Sequence, residues 1–295
     1  MAVDREAAFV VVRAVAAKLG LDHREIELLG PIADNAVFRL PGRTVVRIAT
    51  SAAGERALRE VRTGRWLATQ GLPAVQPLES IQQPLSVDGH VVTLWHEIPE
   101  ASIASTSELA VLLRQLHRLP IPTDFDVPVL NPFVRLNEHL KAAESELSPS
   151  DRDFLANRLE ELKVDYASVS DGLRVCVIHG DANRKNAIRG SDSRAVLLDL
   201  ERFSIGPRQW DLVVPAVYQR LGWYSDSEYA AFVEAYGWDV RSWSGFETYT
   251  ALREFRMTAW LLSRLTREPR LRNEAANRLA SLREPDAPRS WTPGT

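Results

Sequence analysis

With 295 residues, the chain has room for one large domain or two lobes. Its 45% apolar and 25% charged residues are ordinary for a soluble globular protein, and a net charge of -3 gives no whole-chain reason to bind nucleic acid or a membrane. Cys176 is the only cysteine, which excludes a disulfide within the chain; inside an apolar strand it reads as a small buried thiol. The start, Met1-Ala2-Val3-Asp4-Arg5-Glu6, is acidic where a secretory signal would be basic. Arg13 and Lys18 interrupt the apolar stretch that follows, so a cytoplasmic protein is expected.

Residues 4–19 predict an amphipathic helix, capped by Asp4 and stopped by Gly20. Short β-type runs follow at 36–40 and 44–48, joined by Pro41-Gly42-Arg43. A helix is expected over 52–70, ending at Gly71 and Pro73. A second β-pair turns at Asp88-Gly89 between 85–87 and 90–97. Near Ile98-Pro99-Glu100 the character changes. Helices are expected at 106–118, 133–147 and 150–164, a β-hairpin at 174–200, and helices again from Asp211. The expected fold is α+β: a β-rich lobe over 1–97 and a larger, mainly helical lobe over 98–295.

The densest chemical signal is His179-Gly180-Asp181 with Asn186 five residues after the aspartate, followed by an apolar run, 196–200, that contains Asp199. Transfer of a γ-phosphoryl group needs a residue to orient the acceptor hydroxyl, a divalent metal on the phosphates and cations on the remaining charge. Asp181 is the candidate for the hydroxyl. Asn186 and Asp199 are the candidates for Mg²⁺, which takes few hard oxygen ligands from protein and the rest from phosphate and water. No Gly-x-x-x-x-Gly-Lys or Gly-x-Gly-x-x-Gly is present, so a nucleotide would not be held in the P-loop or Rossmann manner.

These residues, with Leu197-Leu198-Asp199-Leu200-Glu201, Gly206-Pro207 and Trp210-Asp211-Leu212, resemble the aminoglycoside phosphotransferase and choline kinase superfamily. Asp34-Asn35-Ala36-Val37-Phe38-Arg39 resembles its nucleotide-loop hairpin, and Gln115-Leu116-His117-Arg118-Leu119-Pro120 the helix before its catalytic region. The resemblance implies a bilobal, protein-kinase-like fold and Mg²⁺-dependent transfer of phosphate from ATP or GTP to a small-molecule hydroxyl. By resemblance His179 braces the catalytic loop and Asp211 holds its amides. Arg47 stands where the family usually has a phosphate-contacting lysine; the four lysines, Lys18, Lys141, Lys163 and Lys185, all lie outside that strand. Arginine can replace it, being always charged and able to bind phosphate bidentately. Glu60 is its acidic partner, with Glu55 as competitor. His96 and Ile98, in the connector, would face the base. Lys185 would approach the γ-phosphate or face outward.

Between 226 and 254 six acids (Asp226, Glu228, Glu234, Asp239, Glu247, Glu254) meet two arginines, Arg241 and Arg253, amid tryptophans. An acidic, aromatic cleft would suit a polycationic or amino-sugar acceptor; the alternative is a lobe with solvated acidic faces. Glu201 and Asp226 are the substrate candidates. The expected acceptor is therefore an aminoglycoside-type or other hydroxylated antibiotic. A metabolic kinase for a sugar, amino sugar or amino alcohol is the alternative, and a catalytically silent nucleotide-binding module the third reading. Monomer and dimer are both left open.

Overall fold

The computed structural model describes residues 3–32, 34–284 and 289–293. Helix α1 (Arg5–Lys18) begins at Asp4, whose carboxylate accepts the Ala7 amide at 2.9 Å. Its apolar stripe, Ala8, Val11, Val12, Val15 and Ala16, is fully buried. It packs on a five-stranded antiparallel sheet formed by β1 (Glu27–Leu28), β2 (Asn35–Leu40), β3 (Thr44–Thr50), β4 (Leu85–Val87) and β5 (His90–His96). The strand order is β1-β2-β3-β5-β4. Alternation along β2 and β3 sends Phe38, Leu40, Val46 and Ile48 into this core, and therefore turns Val37, Val45 and Arg47 to the opposite face. On that face lies α2 (Gly54–Thr69), inserted between β3 and β4. Its buried positions, Ala57, Glu60, Val61, Gly64 and Leu67, recur at helical spacing, so Glu60 sits within an otherwise apolar stripe. The far end of α2 belongs to the other lobe: Trp66, Leu67, Leu72 and Ala74 join the larger core.

That core is built from α3 (Thr106–Leu116), α4 (Leu136–Ala143), α5 (Pro149–Ser170), α6 (Gln209–Arg220), α7 (Asp226–Tyr236), α8 (Phe246–Leu262) and α9 (Arg272–Arg283). Two small sheets lie against it. One has the order β6-β8-β9, from β6 (Ser102–Ile103), β8 (Ala187–Arg189) and β9 (Ala195–Leu197). The other pairs β7 (Val175–Ile178) with β10 (Ser204–Pro207). The bilobal α+β architecture expected from the sequence is thus present, with two local differences. The candidate catalytic residues do not sit on one hairpin over 174–200, because β7 pairs with β10 and β9 with β8. Helix α5 also runs on to Ser170, since nothing breaks it before Gly172, whose φ is 69°. Among the described residues, no helix is long and apolar enough to cross a membrane.

Candidate active site

The two small sheets deliver the site. β7 ends at Ile178 and releases His179-Gly180-Asp181. Register Ala187↔Leu197 places Asn186 beside Leu198, whose amide donates to the Asn186 carbonyl at 2.9 Å. Asp199 follows at once, in the left-handed region with φ 51°, which Asp tolerates better than most residues. Asn186 Nδ2 donates to the Asp181 carbonyl at 2.9 Å.

The loop is held from beneath. Asp211, fully buried at the start of α6, accepts the His179 amide at 2.7 Å and the Gly180 amide at 2.8 Å. His117 Nε2 lies 3.0 Å from the same carboxylate, and its Nδ1 lies 2.9 Å from the Tyr236 hydroxyl. The Trp210 indole donates to the Gly180 carbonyl at 3.1 Å. His179, buried, places Nε2 2.8 Å from the Leu198 carbonyl, tying the catalytic loop to the strand before Asp199. Gly180 has φ 83°, and a Cβ there would lie 2.2 Å from the Arg202 carbonyl oxygen.

Asp181 is anchored to α8, where Arg253 Nη2 donates to its Oδ1 at 3.0 Å. Burial alone would raise its pKa, but Arg253 and Arg202 outweigh burial and hold the carboxyl below the usual range. Asp181 is therefore ionised at neutral pH. Arg253 carried no role in the sequence, where it merely offset nearby acids; His117 and Trp210 were visible only within quoted motifs.

On the small-lobe side, Arg47 Nη1 donates to Glu60 at 2.6 Å, while Glu55 is exposed on the outer face of α2. Glu201 was expected toward the substrate. Instead its carboxylate accepts from Arg47 at 3.0 Å and from Arg56, a residue the sequence reading did not select, also at 3.0 Å. Burial, reinforced by Asp199 and Glu201, pushes Glu60 up to about 7 despite Arg47. Burial opposes the charge on Arg47, yet Glu60, Asp199 and Glu201 raise its pKa. Beyond burial, the acidic neighbours Asp199 and Glu201 act on both groups in the direction that favours added positive charge. Among the described residues no three acidic, histidine or cysteine side chains converge on a preformed metal site. A hard cation sharing Asn186 and Asp199 with phosphate oxygens fits both observations.

In the connector, the amides of His96 and Glu97 donate to the carbonyls of Gln76 and Arg43, both at 2.9 Å, so His96 has no free backbone N–H to offer a base. The Ile98 side chain packs against Gly190. Lys185 is exposed. The acids of 226–254 do not line a cleft as a group. Exposed Asp226 accepts from Gln219 at 2.7 Å, Glu228 pairs with Arg184, Asp239 with Arg241, Glu247 with Arg220 and Glu254 with Arg289. Except for Asp239, answered by its neighbour Arg241, the paired acids are met by arginines distant in sequence.

The family model described as "Phosphotransferase enzyme family" matches residues 25–255. Among solved structures, an amicoumacin kinase in complex with AMP-PNP, Ca²⁺ and Ami superposes with TM-score 0.71 at 13% identity, covering 97% of each chain. The GDP and kanamycin complex of APH(2")-IIia gives 0.68 at 17% identity, over 95% of this chain and 99% of that one. Choline kinase LicA from Streptococcus pneumoniae gives 0.65 at 16% identity, over 94% and 99%. A search of curated proteins finds no match. At these identities the structural likeness establishes the protein-kinase-like fold, and the family rests on the sequence model. The chain belongs to the phosphotransferase enzyme family.

Proposed function

We propose that this protein is a Mg²⁺-dependent O-phosphotransferase that moves the γ-phosphate of ATP or GTP to a hydroxyl of a small molecule. One observation carries the reading: an ionised Asp181, fixed by Arg253, shares a loop with Asn186, and Asn186 is hydrogen-bonded to the strand end that presents Asp199. The acceptor oxygen bonds to the γ-phosphorus as the bond from that phosphorus to the β–γ bridging oxygen breaks. The hydroxyl proton passes to Asp181, and ADP or GDP leaves. With its carboxyl held below the usual range, Asp181 acts chiefly by orienting the hydroxyl, which suffices for a loose phosphoryl-transfer transition state. Asn186 and Asp199 would hold Mg²⁺ together with the nucleotide phosphates, and the ion would neutralise charge on those phosphates. Arg47, oriented by Glu60, binds phosphate from the small-lobe side, and Ile98 and the carbonyl of His96 face the base.

Proteins of the same fold include aminoglycoside phosphotransferases and choline kinases, which supports a hydroxylated small molecule, antibiotic or metabolite. The test is Mg²⁺-dependent ADP or GDP release over a panel of aminoglycosides, other hydroxylated antibiotics, sugars, amino sugars and amino alcohols. Release with one class, absent in Asp181→Asn, is expected. Equal release by wild type and Asp181→Asn would overturn the assignment. Tight Mg-nucleotide binding with no acceptor ever phosphorylated would instead support a silent binding module.

A further inference from the structure

The acceptor side of Asp181 is bordered by arginines. Arg253 and Arg256 leave α8 three residues apart, on one face of the helix. Arg253 is paired with Asp181 at 3.0 Å. Arg256 donates to the Pro132 carbonyl and lies 5.6 Å from the Trp210 ring, whose indole donates to the Gly180 carbonyl in the catalytic loop. Arg202, exposed, runs its backbone directly beneath Gly180. Arg135 stands at the N-cap of α4, with His139 one turn further on; Glu138 at 3.6 Å and Asp34 at 4.0 Å offset Arg135.

Arg256 and Arg202 have no such offset. Among the described residues neither takes part in an ion pair, and the acid acting on Arg256 is Asp181, already committed to Arg253. Burial, with Arg202 and Arg253, pushes the Arg256 guanidinium down to about 9, so it is still charged at neutral pH. Burial, with Arg135, Arg256 and Arg202, pushes His139 down to about 4, and its Nδ1 is buried without a partner. Burial is the larger cause at both groups, and the neighbouring arginines add to it; the geometric fact beside it is that neither Arg256 nor Arg202 has an acidic partner among the described residues. Holding such charge away from water is costly unless an anion answers it. A polycationic acceptor would add to the repulsion.

We propose that the acceptor is itself an oxyanion, a hydroxylated carboxylate or phosphate ester, whose anionic group is held by Arg256 and Arg202 while its hydroxyl is held by Asp181. This rests on the phosphotransfer reading above. In that reading the nucleotide phosphates have their own arginine, Arg47, on the small-lobe sheet.

The test has two arms. In the first, ADP or GDP release by the full chain is compared for glucuronate, glucose and glucosamine, and for glycerate and glycerol. The expected result is at least ~10-fold higher kcat/KM for the acids. Arg256→Gln and Arg202→Gln should each raise KM for the acids about tenfold more than for the neutral acceptors, while Arg256→Lys retains much of the binding. Preference for glucosamine, or an equal kcat loss with acidic and neutral acceptors, would overturn the proposal; the latter assigns the charge to the transferring phosphoryl group. In the second arm, millimolar sulfate and glycerate are added at fixed ionic strength to protein saturated with the Mg²⁺ complex of AMP-PNP or GMP-PNP. The melting temperature should rise in wild type and less in the two Gln variants; equal behaviour in all three overturns the proposal. The second arm needs no turnover. Anion binding lost in the variants, with no acceptor phosphorylated, would sink the phosphotransfer reading while leaving the anion site standing. Exposed Arg202 keeps the test decisive if Arg256→Gln fails to fold.

Discussion

Arg47 shows how a single side chain is committed before any nucleotide arrives: it is paired with Glu60 at 2.6 Å and Glu201 at 3.0 Å. If it binds phosphate as proposed, Arg47→Gln should weaken nucleotide affinity about 10- to 100-fold, the worth of a charge-assisted hydrogen bond, and Arg47→Lys should recover part of it. Calorimetric titration with Mg-nucleotide checks this, and unchanged affinity in Arg47→Gln would remove the residue from the site. At this scale much was legible. The period-2 pattern of β3 sends Arg47 off the core face, and the helical spacing of α2 sends Glu60 inward and leaves Glu55 outside. Arg253, Arg56 and the true partners of Glu201 were not legible, because each pairing spans more than 70 residues and no local pattern encodes it.

Among elements, the strand runs at 175–178 and near 196 were visible in the sequence, but not which strands they pair with. A short apolar run says nothing about its neighbour, and Ser204–Pro207, the partner of β7, carries a glycine and a proline that mask it. That pairing has a consequence at Gly180. The β7–β10 ladder, Ser204↔Ile178, fixes Arg202 against the turn after β7, where a Cβ on Gly180 would meet its carbonyl oxygen at 2.2 Å. Gly180→Ala must therefore leave φ 83° or push the strand end away, at a cost of about 3 kcal/mol. Urea denaturation should show that loss together with reduced turnover. An unchanged midpoint would mean that the loop is not clamped.

The two-lobed architecture followed from a β-rich half preceding a helical one. The interlock between the halves did not, since Trp66 and Leu67 look like any amphipathic helix until they are seen in the larger core. Order along the chain does not give the pairing of charges either: acids cluster along 226–254, yet four of them are answered by arginines, and Asp181 pairs with Arg253. Burial of His139, with the arginines around it, predicts a pH effect on the whole molecule. His139 is held near 4 in the fold against an ordinary value near 6.5. Between those values the unfolded chain takes up a proton that the native state refuses, so stability falls as pH drops from about 6.5 to 4. His139→Gln should remove about 1 kcal/mol of that loss, its half-exposure allowed for. Parallel melting curves over this window check it; identical slopes in wild type and variant would contradict the lowered pKa of His139.

The central claim divides the labour: Asp181 handles the acceptor hydroxyl, and the nucleotide is bound elsewhere. It is tested most directly by measuring kcat with the best acceptor and Kd for the Mg-nucleotide in wild type and Asp181→Ala. The account predicts a kcat at least ~100-fold lower with Kd within about threefold. An unchanged kcat, or a loss explained by nucleotide affinity alone, would contradict it.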